Sequence, residues 1–378
     1  MDVLSRLDLT HCRHWQSAFV GQRKDHRFYE LVEDTIQQGF DYQYFAIKDG
    51  DGGVRAIQPF FILEQDLLGG LGSRTRAMVD SARRVWPQIL KMRTLMVGCA
   101  VGEAHLDGSD NSHASNARLL ASAIVEHARA QKALLIVLKE FPAGYRQPLN
   151  CFLQHGFTRV PSLPMTRLNI DYPSFDAYMA KALNSATRRK LRKKFAAAAL
   201  ASPIEMSVSC DITPVIDEIY PLYLQVYNRS KLHFEKLTKP FFCGIGRLMP
   251  DKVRFFLWRQ NGRIIAFTLC MIEDDAIYAE YIGLDYSVAL DLHLYHYAVR
   301  DMISWAIPKG YKYLRSSGLN YDPKLHLRHV LDPTDLYVRH TSAIMNTVLK
   351  RILPLIEPTR YDPVLKRFPN YHELWESP

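Results

Sequence analysis

Six cations fall within seven consecutive positions, Arg188, Arg189, Lys190, Arg192, Lys193 and Lys194, and no acid lies among them. A run of this kind attracts a polyanion: nucleic-acid or nucleotide phosphates, an acidic protein surface, or anionic lipid headgroups. No aromatic residue interleaves the charges, so base stacking is disfavoured and a nucleic-acid contact would go through phosphates. On a helix the charges spread around most of the circumference and leave Leu191 and Phe195 as one narrow apolar contact, so a solvated helix is the competing reading. Glu280 and Asp285 lie on either side of Gly283 in AEYIGLDY. Carboxylates so placed can accept a proton, or can simply be the solvent-facing members of a half-buried strand.

Tyr321 and Lys324 follow Gly318 in GLNYDPK, which can bring a phenol and an ammonium to one phosphate or carboxylate; a turn with a solvated lysine is the alternative. Glu103 and His105 form a polar cluster bordered by Gly98, Gly102 and Gly108, the composition of a substrate-facing loop. Cys99 has only His105 within reach along the chain, so packing at a strand end is favoured over a nucleophilic role. His293 and His296 stand on an aromatic-rich helix and read as packing residues. The six cysteines contain no CxxC pair and the fourteen histidines no HExxH, which predicts no metal site and no disulfide framework. Cys151, Cys243 and Cys270 lie in apolar runs and are expected to be buried.

The elements that must position these residues come as a weak internal repeat. Tyr44 to Ile62 and Arg254 to Ile272 both read strand, turn, strand, with turns at Asp49 to Gly53 and at Asn261-Gly262. After the second turn come DAIYAEYIGLDY as a third strand, Asp291 to Lys309 as an amphipathic helix, and YKYLRSS as a further strand. The first copy continues with MRTLMVGCA, a helix from Asn116 to Gln131 and ALLIVLKEF, after an extra segment with a helix around Ala82 to Lys91 and a flexible turn at Gly69 to Arg74. Each unit is β-β-β-α-β. Between them MTRLNIDY reads as a strand, and Ser174 opens one long helix that carries the basic run to Ala201. The fold class is α+β, mixed α/β, with mixed sheets rather than a doubly wound parallel sheet.

At 378 residues the chain has room for two domains. Hydrophobic residues at 48% and charged residues at 23% describe an ordinary globular protein. Six of the nine excess positive charges belong to the basic run. No stretch of about 20 residues lacks charges, which argues against a membrane span, and the N-terminus has no apolar signal segment, so a cytoplasmic protein is expected. Phosphate-loop and dinucleotide-binding motifs are absent.

The β-β-β-α-β order resembles the GNAT superfamily of N-acyltransferases, and its tandem form resembles the FemAB-like branch over roughly residues 40–345. AEYIGLDY, the helix HLYHYAVRDMISWAIPKGY and the Gly-x-x-Tyr-x-x-Lys of Gly318, Tyr321 and Lys324 carry the likeness in the C-terminal half. VGCAVGEAHLDG and AYMAKALNSATRRKLRKK carry it in the N-terminal half. The resemblance implies transfer of an acyl or aminoacyl group to an amine by direct attack. Glu280, Asp285 and Tyr321 would then be catalytic, and Lys324, Gly283, Gly318, Glu103 and His105 would bind substrate, with a backbone amide near Gly283 polarising the carbonyl. Arg188 to Lys194 would hold the donor, an acyl-CoA, an acyl carrier protein or an aminoacyl-tRNA, with no tightly bound cofactor. The superfamily's Q/R-x-x-G-x-G/A loop is missing: SVALDLHLYHY has no glycine, and GSDNSHASN has only Gly108. That puts ordinary acetyl-CoA binding in doubt and leaves a carrier-bound or tRNA-bound donor open.

The expected organisation is an N-terminal unit at 1–162, a connecting strand and basic helix at 163–201, a C-terminal unit at 202–345 with the active cleft, and a tail at 346–378. The first copy's insertion is expected to fill its own cleft. Two rival readings stand beside this one: a catalytically silent tandem protein that recognises an acidic partner through residues 188–194, and nucleic-acid binding as the main function. The acyl group, the acceptor amine and the oligomeric state are not legible.

Overall fold

A computed structural model describes residues 1–66, 91–199, 202–230 and 233–376. The expected turn at Gly69 to Arg74 and helix around Ala82 to Lys91 lie outside the described residues, apart from Lys91, which opens a strand. The first half contains β1 (Asp2–Leu4), α1 (Arg6–Leu9), α2 (His26–Thr35), β2 (Asp41–Lys48), β3 (Val54–Asp66), β4 (Lys91–Val97), α3 (Asp110–Ala130), β5 (Leu135–Pro142), α4 (Arg146–Gln154) and β6 (Thr158–Pro161). Then come β7 (Met165–Asn169), α5 (Phe175–Ala182), α6 (Ser185–Ala199), β8 (Ile204–Ser209), α7 (Ile216–Arg229) and α8 (Lys239–Leu248). The second repeat is β9 (Val253–Gln260), β10 (Arg263–Glu273), β11 (Ala276–Leu284), α9 (Leu294–Ala306) and β12 (Tyr313–Ser316), followed by α10 (Tyr321–His326), β13 (Val330–Asp332), β14 (Thr334–His340) and α11 (Ala343–Ile356).

Both hairpins form where the turn residues require them. The Asp49 carboxylate accepts bonds from the Asp51 and Gly53 amides, and Gly52 takes φ +85°. Asn261 and Gly262 both adopt positive φ, the pair that a two-residue turn matched to strand twist demands. The strands assemble into two seven-stranded sheets, β1-β2-β3-β4-β5-β14-β6 and β13-β7-β12-β11-β10-β9-β8. In each, a single parallel pair, β4 with β5 and β11 with β12, is reached through a helix, α3 or α9. Both units have the β-β-β-α-β order that the repeat predicts.

The sheets also exchange strands. β7, from the segment expected to be a connector, pairs with β12 in the second sheet, and β14 returns from the C-terminal half to lie between β5 and β6 in the first. One apolar core lies between the units and draws on both: Phe28 and Phe241 meet edge to face, and Gly244 leaves room for Leu31, whose Cδ1 would stand 2.4 Å from an added Cβ. Separate cores cover α3 on the first sheet and α9 on the second.

Local structure departs from expectation at several points. The single long helix from Ser174 is two, α5 and α6, because Leu183 is extended and the Asn184 side chain accepts the Thr187 amide as a new N-cap. Arg188 then donates to the Ala180 and Leu183 carbonyls at the end of α5. Helix α3 starts at Asp110 and not Asn116, with Asp110 placing a negative charge at its N-terminal end, and α9 starts at Leu294 after His293 in a left-handed conformation. Cys99 and Cys270 are buried, but Cys151 and Cys243 are only partly covered.

Candidate active site

The second sheet is interrupted at Glu280. Parallel pairing of β11 with β12 stops at Ala279 and Ser316, although β11 runs on to Leu284. Against β10 the register jumps from Cys270–Ala279 to Leu269–Tyr281, so Glu280 is the extra residue of a β-bulge. A bulge re-aims side chains on its strand, and here it turns Tyr281 toward the core between the units while Ile282 and Leu284 face α9. Gly283 is required by packing: an added Cβ would lie 2.8 Å from the Tyr223 amide and 2.2 Å from the Phe267 ring. The absence of a side chain there lets α7 close over β11.

Charges from both units converge on Glu280. The loop before α2 delivers Arg23 and Lys24, which are 2% and 1% exposed. Arg23 Nε donates to Glu280 Oε1 at 2.9 Å, its guanidinium also pairs with Glu103 and with Glu273, and its Cζ lies 3.6 Å above the Tyr278 ring. Lys24 Nζ donates to Glu103 Oε2 at 2.9 Å and to the Val101 carbonyl at 3.1 Å. Gly102, at φ +70°, makes room for that ammonium, which would stand 2.4 Å from an added Cβ. His105 approaches Glu103 and the Tyr145 hydroxyl, each at 3.4 Å. Alongside, Lys139 pairs with Glu140 at 2.7 Å and donates to the Gly102 carbonyl, while the Tyr281 hydroxyl donates to Glu235 at 2.6 Å.

This junction splits the carboxyl groups. Burial would raise Glu280, but the nearby Arg23 and Lys24 outweigh it and hold the group below the usual range. Burial raises Glu235, and the opposing charge of Lys139 does not cancel it. Burial pulls Lys24 down to about 8. Burial, followed by Arg23 and Lys24, keeps His105 well below the ordinary histidine range, so it is neutral. Groups pushed apart in this way are suited to separate proton roles. Glu280, held ionised, orients a donor or an ammonium better than it takes a proton near neutral pH.

Where β11 and the chain beyond β12 part, a wedge opens into a cleft of about 540 Å³. Leu284 and Tyr286 form one wall, Asn320, Asp322 and Pro323 another, and Thr187, Lys190, Leu191 and Lys194 of α6 a third, with His293 and His296 at the start of α9. The first turn of α9 has no acid and no side-chain cap, and its Leu294 and His296 amides bond instead to the Ala289 and His293 carbonyls. Lys194 Nζ lies 3.0 Å from His296 Nε2, and burial followed by Lys194 lowers His296 to about 4. Of the basic run only Lys190 and Lys194 line the cleft; Arg188 is spent on α5, and Arg189, Arg192 and Lys193 face solvent.

The structure thus brings Glu103, His105 and Glu280 together and separates them from the rest. Asp285 is buried and tied down: it pairs with Arg263 at 2.7 Å and accepts from the Ser287 hydroxyl and amide. Lys324 Nζ donates to the Ser317 and Leu319 carbonyls at 2.6 and 2.9 Å, and burial lowers it to about 7. Tyr321 donates to the Pro164 carbonyl, and Gly318 packs 3.2 Å (as an added Cβ) from the Leu163 carbonyl. The Gly-x-x-Tyr-x-x-Lys segment therefore shapes the loop that walls the cleft. Arg23, Lys24, Glu235, Glu273 and Tyr281 were not singled out from the sequence. Arg23 and Lys24 had one faint signal, adjacent cations just before Asp25, whose side chain caps α2.

No curated protein sequence matches the chain. Among solved structures it is similar to FemX, at 12% identity and a TM-score of 0.54, over 94% of this chain and 100% of that one. It is also similar to L-PGS from Bacillus licheniformis, at 12% identity and a TM-score of 0.51, over 89% and 98% of the two chains. A conserved protein of unknown function from Bacteroides thetaiotaomicron matches at 12% identity with a TM-score of 0.50, over 89% and 97%. At such identities these likenesses show the fold alone. The sequence profile of the FemAB-like family, described as peptidoglycan biosynthesis/recognition, matches residues 96–326. Family and fold together support an acyltransferase-type function. That match spans most of the chain, including the bulge, the wedge and the cleft, and the protein belongs to the FemAB-like family.

Proposed function

We propose that the protein transfers an acyl or aminoacyl group from an activated carrier to an amine by direct attack, in the C-terminal unit (202–345). The observation that carries this reading is the wedge: β11 leaves β12 beside a buried, charge-paired Glu280 and opens into a cation-lined cleft at the start of α9. The donor's anionic carrier lies in the cleft beside Lys190 and Lys194. Its acyl arm runs down the wedge from Leu284 to Glu280, four residues of strand or about 13 Å. FemX and L-PGS share the fold, and a donor of the aminoacyl-tRNA kind fits the cleft's charge as an acyl-CoA or acyl carrier protein does.

At the bulge Glu280 orients the incoming amine, and the Tyr281–Glu235 pair, whose carboxyl burial raises, takes the proton lost when the amine adds to the carbonyl. The proton then leaves with the carrier's thiol or hydroxyl. Asp285, Tyr321, Lys324 and Gly318 hold the walls of the wedge and cleft, and Gly283 lets α7 close it. Mass spectrometry of products after incubation with pools of acyl-CoA, acyl carrier protein and aminoacyl-tRNA, each with a mixture of amines, tests the reading. One donor class should yield an amide that Glu280→Gln suppresses. Binding of a donor with no product from any pool would support the silent recognition protein, for which Arg189, Arg192 and Lys193 offer solvent-facing charge.

A further inference from the structure

The helix α11 has an apolar face that the described residues leave uncovered. Ile344, Met345, Val348, Ile352, Leu355 and Ile356 are 79, 50, 44, 42, 61 and 62% exposed. At 100° per residue these six side chains fall within an arc of about 120°. The adjoining arc faces inward: Leu349 and Leu353 pack on the core between the units, and Asn346 donates to the Gly156 carbonyl and accepts the His340 amide. The helix is thus fastened across β14 and β6 by one side, with its other side turned to solvent. A contiguous apolar stripe on an anchored helix is the mark of an interaction surface rather than of scattered exposed residues.

We infer that this face of α11 docks the protein on an anionic lipid surface. Charge selects that occupant. The fourteen residues of α11 contain no acid and two exposed cations, Arg351 beside the apolar arc and Lys350 on the far side of the helix. Beside the helix start, Arg129 donates to the Thr341 carbonyl, Lys132 is exposed, and Leu134, 46% exposed, adds a further apolar side chain. Past the helix end the Tyr361 ring is 68% exposed while its hydroxyl donates to the Leu355 carbonyl, an apolar body with a polar tip at the rim. An apolar stripe bordered by Arg351, with Arg129 and Lys132 near its start and an aromatic rim past its end, suits insertion to headgroup depth, with anionic lipids adding to the attraction. A second copy of the chain fits less well. Six side chains from one helix fall short of the about 20–30 residues a side of a stable interface, and pairing the arc with itself would bring Arg351 of one copy toward cations of the other.

The test is flotation with vesicles of phosphatidylcholine alone and of phosphatidylcholine with phosphatidylglycerol. The protein should float with the anionic vesicles, less with the neutral ones, and less as salt rises. Ile344→Ser/Val348→Ser/Ile352→Ser should weaken partitioning about tenfold or more, and Lys350→Glu/Arg351→Glu should remove the preference for anionic lipid. Because all five side chains are exposed, both variants should keep the wild-type thermal midpoint, which separates lost docking from lost folding. Absence of flotation on either vesicle would overturn the inference, as would equal binding by the triple variant. A wild-type dimer in analytical ultracentrifugation that the triple variant dissolves would assign the face to a second copy instead.

Discussion

Two groups of cations meet their surroundings in opposite ways. At the junction between the units, Arg23 and Lys24 are buried and answered by Glu103, Glu273 and Glu280. In the cleft, Lys190 and Lys194 face a cavity whose one lining acid is Asp322. A buried cation that has its carboxylates already is part of the framework, because removing it strands charges in a low dielectric. A cation on a cavity wall without a matching acid has its attraction left for a ligand. The same residue types are thus paired off in one region and left open to a cavity in the other.

Glu280→Gln should have the largest effect, lowering kcat about 10²-fold with the fold intact if the ionised group at the bulge orients the amine. Turnover close to wild type would leave the wedge's geometry and backbone polarisation as the whole catalysis. Arg23→Met should act on stability, costing about 3–5 kcal/mol in denaturant unfolding, since three carboxylates lose their shared partner. A loss under about 1 kcal/mol would mean that water reaches the junction, and the contrast between the regions would fail.

Lys324 gives a pH test. Its folded-state value of about 7 lies below the about 10.4 of an unfolded lysine. The unfolded chain therefore holds this proton through the window between them, so Lys324 makes stability rise with pH from about 7 to about 10.4, by up to about 1.4 kcal/mol per unit. Below about 7 its cost is fully present and constant. Lys324→Met should flatten that rise in unfolding midpoints measured across the window; an unchanged slope would show the ammonium to be solvated.

The smallest effects belong to the cleft. Lys190→Gln with Lys194→Gln should raise the donor KM about tenfold, hold kcat, and make its salt dependence shallower. Arg189→Gln, Arg192→Gln and Lys193→Gln together should change KM less. If the solvent-facing trio matters more, the donor docks on the outside of α6 and the cleft has another use.

Much of the architecture is legible in the sequence. Asn261-Gly262 and Asp49 to Gly53 declare their hairpins, the α9 pattern declares a helix after a third strand, and the repeat of these declares two like units. The break at Leu183 was readable too, since Asn184 is a good N-cap, but the alanine-rich continuation favoured one long helix. The basic run was visible as charge, while its division into a capping Arg188, a cleft pair and an exposed trio depends on which face α6 turns to the second sheet.

The residues of one chain segment determined its strands, turns and helices, because backbone hydrogen bonds and side-chain periodicity act within a few positions. Sequence also marked Glu280, Glu103 and His105 as chemistry without joining them. Only the tertiary structure decided that Arg23 and Lys24 reach across to them, that Glu235 meets Tyr281, that β7 and β14 change sheets, and that Asp285, Lys324 and Tyr321 brace loops. Electrostatic partnership is set by distance in space and by exclusion of water, and neither is encoded in the spacing of residues as far apart as Arg23 and Glu280.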